Sequence, residues 1–124
     1  MIFVVDSDQN VCRSLADLVK EEGFAATAYF SGRDFLSSAY PESSDVIVLD
    51  LETAELAGVE FKEALLRRHI ASPTIVTSTR GYPEALKLAK QLGAIGYLSK
   101  PVDGMALIDL IRFEQCDGER QDLS

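Results

Sequence analysis

Four short apolar runs in this chain each lead directly into residues that can do chemistry. Ile2–Val5 is followed by Asp6, Ser7 and Asp8, Val46–Leu49 by Asp50, Thr74–Thr77 by Ser78, and Ile95–Leu98 by Ser99, Lys100 and Pro101. Carboxylates gathered in one place repel one another, so the arrangement persists only where a cation or a raised pKa relieves it. Mg²⁺ is the simplest such cation. A carboxylate beside Mg²⁺, with a hydroxyl and an ammonium group nearby, is what an aspartyl phosphate requires. The carboxylate attacks phosphorus, the metal and the lysine neutralise the phosphoryl oxygens, and the hydroxyl hydrogen-bonds one of them.

These residues act together only if the elements that carry them share one edge. The runs starting at Ile2, Val46 and Thr74 are nearly continuous in apolar or β-branched residues, as strands buried on both faces of a parallel sheet are. Ala26–Phe30 and Ile95–Leu98 supply two more strands. Between them lie helical patterns. Val11, Leu15, Leu18 and Val19 form an apolar stripe, with Asp8 as N-cap and Gly23 as stop. Ser31-Gly32-Arg33-Asp34 opens a second helix to about Ala39. A third runs from Gly58 to about Arg68, with Val59, Phe61 and Leu65 inward. Pro83 opens a fourth that Gly93 closes, its stripe being Ala85, Leu86, Ala89 and Leu92. A fifth follows Pro101 and carries Met105, Leu107, Ile108 and Ile111, and the polar stretch from Gln115 reads as a tail.

Five βα units in alternation imply an open, mostly parallel sheet with helices on both faces and right-handed crossovers. Ligands in such sheets bind beyond the carboxyl ends of the strands, at the switch point of strand order. The first βα turn lacks GxGxxG and GxxxxGK, which argues against a dinucleotide fold or a P-loop.

Composition excludes several classes. A chain of 124 residues with 47% hydrophobic and 26% charged residues suits one globular unit. Its formal charge of −8 repels phosphate backbones and anionic lipid, so direct nucleic-acid or membrane binding is not expected. No apolar run is long enough to span a bilayer, and a cytoplasmic setting is expected. Cys12 and Cys116 have no metal-ligand spacing and read as free thiols. His69, the only histidine, falls just past the third helix, away from the strand ends. Any phosphohistidine donor therefore belongs to another protein.

From about residue 2 to residue 114 the sequence resembles the receiver domains of two-component response regulators. The resemblance rests on Val4-Val5-Asp6, on Val48-Leu49-Asp50 with Gly58-Val59-Glu60 eight residues later, on Ser78, on Gly93-Ala94 before Tyr97, and on Lys100-Pro101. It implies a single flavodoxin-like (βα)5 doubly wound sheet of strand order 2-1-3-4-5 and a cis Lys100–Pro101 bond. By position it makes Asp50 the phosphoacceptor, Ser78 the switch hydroxyl, Lys100 the phosphoryl-contacting lysine and Tyr97 the switch aromatic. Residues 1–114 are the expected domain, and 115–124 a polar tail or the start of a linker.

The implied function is a signalling module and not a metabolic enzyme. It takes phosphoryl from a sensor histidine kinase or a histidine phosphotransfer protein onto Asp50, catalysing only that transfer and its hydrolysis. The face built from the fourth helix, the fifth strand and the fifth helix then switches, with homodimerisation on phosphorylation expected. Three residues depart from the family pattern. Ser7 replaces the second acid of the usual pair, so Asp6 and Asp50 are the main Mg²⁺ ligands expected, Ser7 is a weak one, Glu52 or Asp8 supplies missing charge, and weak metal binding follows. Thr53-Ala54 stands where the family carries Met-Pro, and Thr79 where a small residue is usual. Two alternatives stay open: a degenerate receiver that binds partners without phosphorylation, and a haloacid-dehalogenase-like phosphatase with Asp6, of Asp6-Ser7-Asp8, as nucleophile.

Overall fold

A computed structural model describes residues 1–56, 60–81 and 83–123, with side chains through residue 115. Five strands, β1 (Ile2–Val5), β2 (Ala26–Tyr29), β3 (Val46–Asp50), β4 (Thr74–Ser78) and β5 (Gly96–Ser99), form one sheet in the order β2-β1-β3-β4-β5. Every pairing is parallel. The helices are α1 (Gln9–Glu21), α2 (Gly32–Ser38), α3 (Leu51–Leu56), α4 (Phe61–Arg67), α5 (Glu84–Gln91) and α6 (Gly104–Leu123). The expected strand order is the observed one.

The pleat sends alternate residues of the central strands into two cores. Ile2, Val4, Val46, Val48 and Ile75 meet Cys12, Leu15, Ala16 and Val19 of α1 and Leu107, Ile108 and Ile111 of α6. Phe3, Val5, Ile47 and Leu49 face the other way, against Phe35 of α2, Ala54 of α3 and Phe61 and Leu65 of α4. Leu51, Val76, Ala85 and Ala89 continue that layer under α5. β1, β3 and β4 are buried throughout, whereas β2 and β5 are half-buried edges, β5 ending in the exposed Ser99. Phe35 anchors the second core, edge-on to Phe3 and Tyr29 and stacked on Phe61 at 6.2 Å. Gly104 lets α6 close on α1, since a Cβ there would stand 2.6 Å from a Leu18 methyl.

Helix starts follow the expected caps. Asp8 accepts from the amides of Asn10 and Val11, and Ser31 from that of Asp34. Gly23 and Gly93, at φ +95° and +75°, follow α1 and α5 in the left-handed region. The Lys100–Pro101 peptide is cis.

Several elements differ from the sequence reading. α3 was not anticipated: it begins directly at the end of β3, and the amide of Thr53 donates to Asp50 Oδ2 at 3.1 Å, the contact an N-cap side chain makes. α4 starts at Phe61, capped by Glu60, and buries Phe61 and Leu65; Gly58 and Val59 lie outside the described residues. On α5 it is Leu88, with Ala85, Ala89 and Leu92, that packs inward in place of Leu86. Met105 is 59% exposed and does not join Leu107, Ile108 and Ile111 in the core. The backbone of α6 continues past Glu114 to Leu123, where the sequence reading had ended the helix.

Cys12 is a free thiol whose Sγ lies 3.4 Å from the carbonyls of both Val4 and Tyr29, either of which can take its one proton, and burial pushes its pKa up to about 11. The Cys116 side chain lies outside the described residues.

Candidate functional site

Because all five strands run the same way, their carboxyl ends share one edge. Register pairs Val5 with Leu49, Asp50 with Thr77 and Ser78 with Ser99. Asp6, Asp50, Ser78 and Lys100 therefore come from adjacent strand ends although they span 95 positions of chain.

Lys100 Nζ holds two carboxylates at once, standing 2.7 Å from Asp6 Oδ2 and 2.9 Å from Asp50 Oδ1. Both carboxylates are almost fully buried. Burial alone would lower the Lys100 pKa, but the contacts with Asp6 and Asp50 outweigh it and raise the pKa above the ordinary lysine value. Asp6 Oδ1 also accepts from the amide of Asp8 at 2.9 Å. Asp50 Oδ2 accepts from the hydroxyl of Thr53 at 2.9 Å and from its amide. Asp50 Oδ1 differs from the other three oxygens: the Lys100 contact is a charge contact outside hydrogen-bonding angles, and among the described residues this buried atom has no hydrogen-bond partner.

The other candidates divide between two sides of the pocket. Ser7 is exposed; its amide donates to Thr53 Oγ1 at 2.8 Å, and its hydroxyl lies 3.2 Å from the same atom. Ser7 thus reaches Asp50 through Thr53. Asp8 uses Oδ1 to cap α1. Glu52 turns away from Asp6 and Asp50 and across to β4. Its Oε1 accepts from Thr79 Oγ1 at 3.0 Å and lies 3.5 Å from the fully buried Ser78 Oγ. Ser78 Oγ also accepts from the amide of Arg80 at 2.9 Å. Tyr97, half-buried, donates its hydroxyl to the Arg80 carbonyl at 3.3 Å. Among the described residues no group of three His, Cys, Asp or Glu side chains is placed to hold a metal. The pair Asp6 and Asp50 still suits a hard cation, since it offers two buried carboxylates and one of their oxygens lacks a hydrogen-bond donor.

Residues 2–112, which include every side chain of this pocket, match the response regulator receiver domain. The chain belongs to this family. The receiver shares 32% identity over 111 residues with nodulation protein W of Bradyrhizobium diazoefficiens, covering 90% of this chain and 49% of that protein. It is likewise 32% identical over 111 residues to the transcriptional regulatory protein FixJ of Azorhizobium caulinodans, covering 90% of this chain and 53% of that one. Among solved structures it is similar to the response regulator StyR, with TM-score 0.80 and 30% identity over 98% of this chain and 62% of the other. The chain spans about half the length of the curated relatives. It is a receiver domain of two-component signalling, and among the described residues no helix is long and apolar enough to cross a membrane.

Two residues of the receiver pocket escaped the sequence reading. Thr53, which the sequence marks only as a replaced loop residue, is buried and hydrogen-bonded to Asp50. Its signal was available: Asp50 followed by the helix formers of Leu51–Leu56 reads as an N-cap three residues before Thr53. Arg80 ties the loop after β4 to α3 through Glu55 at 2.6 Å, with Glu52 and Glu84 each at 4.0 Å. The Glu55 hydrogen bond is the main cause raising the Arg80 pKa. No local pattern at Arg80 marks that role, because its partners lie on other elements.

Proposed function

We propose that this receiver takes a phosphoryl group onto Asp50 from a phosphohistidine on a sensor kinase or phosphotransfer protein, and reports it through the surface around Tyr97. The observation that carries the reading is Lys100 Nζ in contact with both Asp6 and Asp50 in a buried pocket at the strand ends. An oxygen of Asp50 bonds to phosphorus as the bond from phosphorus to the donor imidazole breaks, and the imidazole leaves with its electron pair and takes up a proton. Lys100 neutralises charge on the phosphoryl group, and Ser78 donates its hydroxyl to a phosphoryl oxygen. Asp6 and Asp50 would hold Mg²⁺, which supplies charge neutralisation at those same oxygens. With Ser7 in place of an acid, that binding is weak. Hydrolysis of the acyl phosphate returns the module to its resting state.

In that resting state Ser78 lies beside Glu52 and Arg80, and Tyr97 holds the Arg80 carbonyl. Drawing Ser78 toward a phosphoryl group removes the acceptor of the Arg80 amide, and the loop that Tyr97 grips shifts with it. The face of α5, β5 and α6 then changes shape and pairs two copies in an isologous dimer. In this reading residues 1–114 are the receiver unit and 115–124 a polar tail or the start of a linker. The domain makes no direct contact with nucleic acid, and the free Cys12 thiol fits a cytoplasmic setting.

Intact mass after treatment with acetyl phosphate and Mg²⁺ tests the acceptor. Wild type is expected to gain one phosphoryl group and Asp50→Asn none; equal gain in both proteins rejects Asp50. Sedimentation of the same pair with beryllofluoride is expected to show a shift toward dimer in wild type alone. No mass gain in wild type would favour the partner-binding reading instead.

A further inference from the structure

We propose that Thr53 is a positioning residue that competes with a divalent cation for one oxygen of Asp50, Oδ2. The inference rests on the reading of Asp50 as phosphoacceptor and adds a role for a residue outside the expected site. Thr53 is 1% exposed, and both its amide and its hydroxyl donate to Asp50 Oδ2, at 3.1 and 2.9 Å. A carboxylate oxygen has two lone pairs, and here both are used.

The hydroxyl has a single proton to give. Its two candidate acceptors are Asp50 Oδ2 at 2.9 Å and Ser7 Oγ at 3.2 Å, and the charged, nearer acceptor takes it. Thr53 Oγ1 then has two lone pairs for Ser7. It accepts the Ser7 amide at 2.8 Å, and the Ser7 hydroxyl is placed to donate back. The hydroxyl chain from residue 7 through residue 53 thus runs unbroken to Oδ2 of residue 50.

On the opposite side of the carboxylate, Oδ1 lies against the Lys100 ammonium. A cation approaching Asp50 through Oδ2 therefore displaces a hydrogen bond from Thr53, and one approaching through Oδ1 meets the positive charge of Lys100. Thr53 and Ser7 are both departures from the family pattern, and their side chains meet. One lowers the negative charge available to a cation, and the other occupies one of the two Asp50 oxygens.

Removing the hydroxyl while keeping the shape separates this role from a structural one. Thr53→Val leaves the Thr53 amide bond, frees one lone pair of Asp50 Oδ2, and is expected to bind Mg²⁺ about tenfold more tightly than wild type, the scale of one hydrogen bond to a charged group. Thr53→Ser restores a donor and is expected to match wild type. Isothermal titration of the unphosphorylated full chain with magnesium chloride alone reads this directly. A residue that merely braces α3 would, when altered, weaken metal binding or leave it unchanged, and either result for a folded Thr53→Val overturns the proposal. If Thr53→Val does not fold, Thr53→Ala, which also lacks the hydroxyl, decides by the same criterion. Phosphorylation of wild type by acetyl phosphate in excess Mg²⁺ is scored separately. Its failure would reject the acceptor reading, while the metal titration would still judge the competition.

Discussion

Lys100→Met is expected to lose about 3–5 kcal/mol of folding stability, because it removes the ammonium that contacts both members of a pair of buried carboxylates. Methionine matches the length of the lysine stem and leaves the packing largely intact, so the loss reports charge. Removing one acid as well should return part of it: Asp6→Asn in the Lys100→Met background is expected to be more stable than Lys100→Met alone. Urea unfolding of the four proteins at pH 7 gives the coupling. Additive losses would mean that the lysine and Asp6 do not act on one another.

The same contacts set a pH dependence. The Lys100 pKa is raised in the folded protein, so the native state keeps a proton that the unfolded chain begins to release near about pH 10.4. Below that value the stabilisation is present in full, and it is lost as pH rises through the folded pKa. Cys12 works in the same direction from lower pH. Its thiol is held at about 11, against 9.0 for an unburied thiol, so stability falls as pH climbs between the two. Comparing wild type with Lys100→Met in a Cys12→Ala background isolates the lysine. The decline above about pH 10 is expected to be steeper when Lys100 is present.

The apolar runs of β1, β3 and β4 made the centre of the fold legible from sequence, because strands covered on both faces leave no polar face to confuse the pattern. The residues that end them marked the pocket for the same reason: a charged or hydroxyl group directly after a buried strand has to be placed somewhere. Less was legible where one residue serves two elements. Asp50 closes β3 and accepts the amide of Thr53 in α3, so no turn residue announces the helix between them. Without α3, the directions of Glu52 and Thr53 could not be read, although they are adjacent in sequence. One reaches β4 and the other returns to Asp50, as neighbours on a helix must when they are about 100° apart. On α5, Leu86 and Leu88 are both apolar, and choosing between them depends on the exact phase of a helix of eight residues.

Ser7→Asp is expected to tighten Mg²⁺ binding. The wild-type pocket sets two buried carboxylates against one ammonium. A third carboxylate at residue 7, whose present hydroxyl lies 3.2 Å from Thr53 Oγ1, adds one negative charge on the open side of Asp50. At about 4 Å and an effective dielectric of about 20, each pair of unit charges interacts by about 4 kcal/mol, and a divalent ion doubles that before dehydration and the weakened Lys100 contact offset much of it. A tightening of tenfold or more in Mg²⁺ affinity is expected. Without metal the added charge repels Asp6 and Asp50, so the variant should unfold at lower urea than wild type. Mg²⁺ at 100 times the variant's Kd adds about 2.7 kcal/mol to the variant but only about 1.4 kcal/mol to a wild type that binds tenfold more weakly, which should reverse that order where the repulsion costs less than the difference. The reversal separates a gained ligand from a general change of surface charge, which would shift both curves alike. Asp8 and Glu52 do not replace this charge in the structure, since one caps α1 and the other binds the hydroxyls at the end of β4. Equal Mg²⁺ affinity in Ser7→Asp and wild type would show that Asp6 and Asp50 alone set the binding, and that the hydroxyl at residue 7 is not what weakens it.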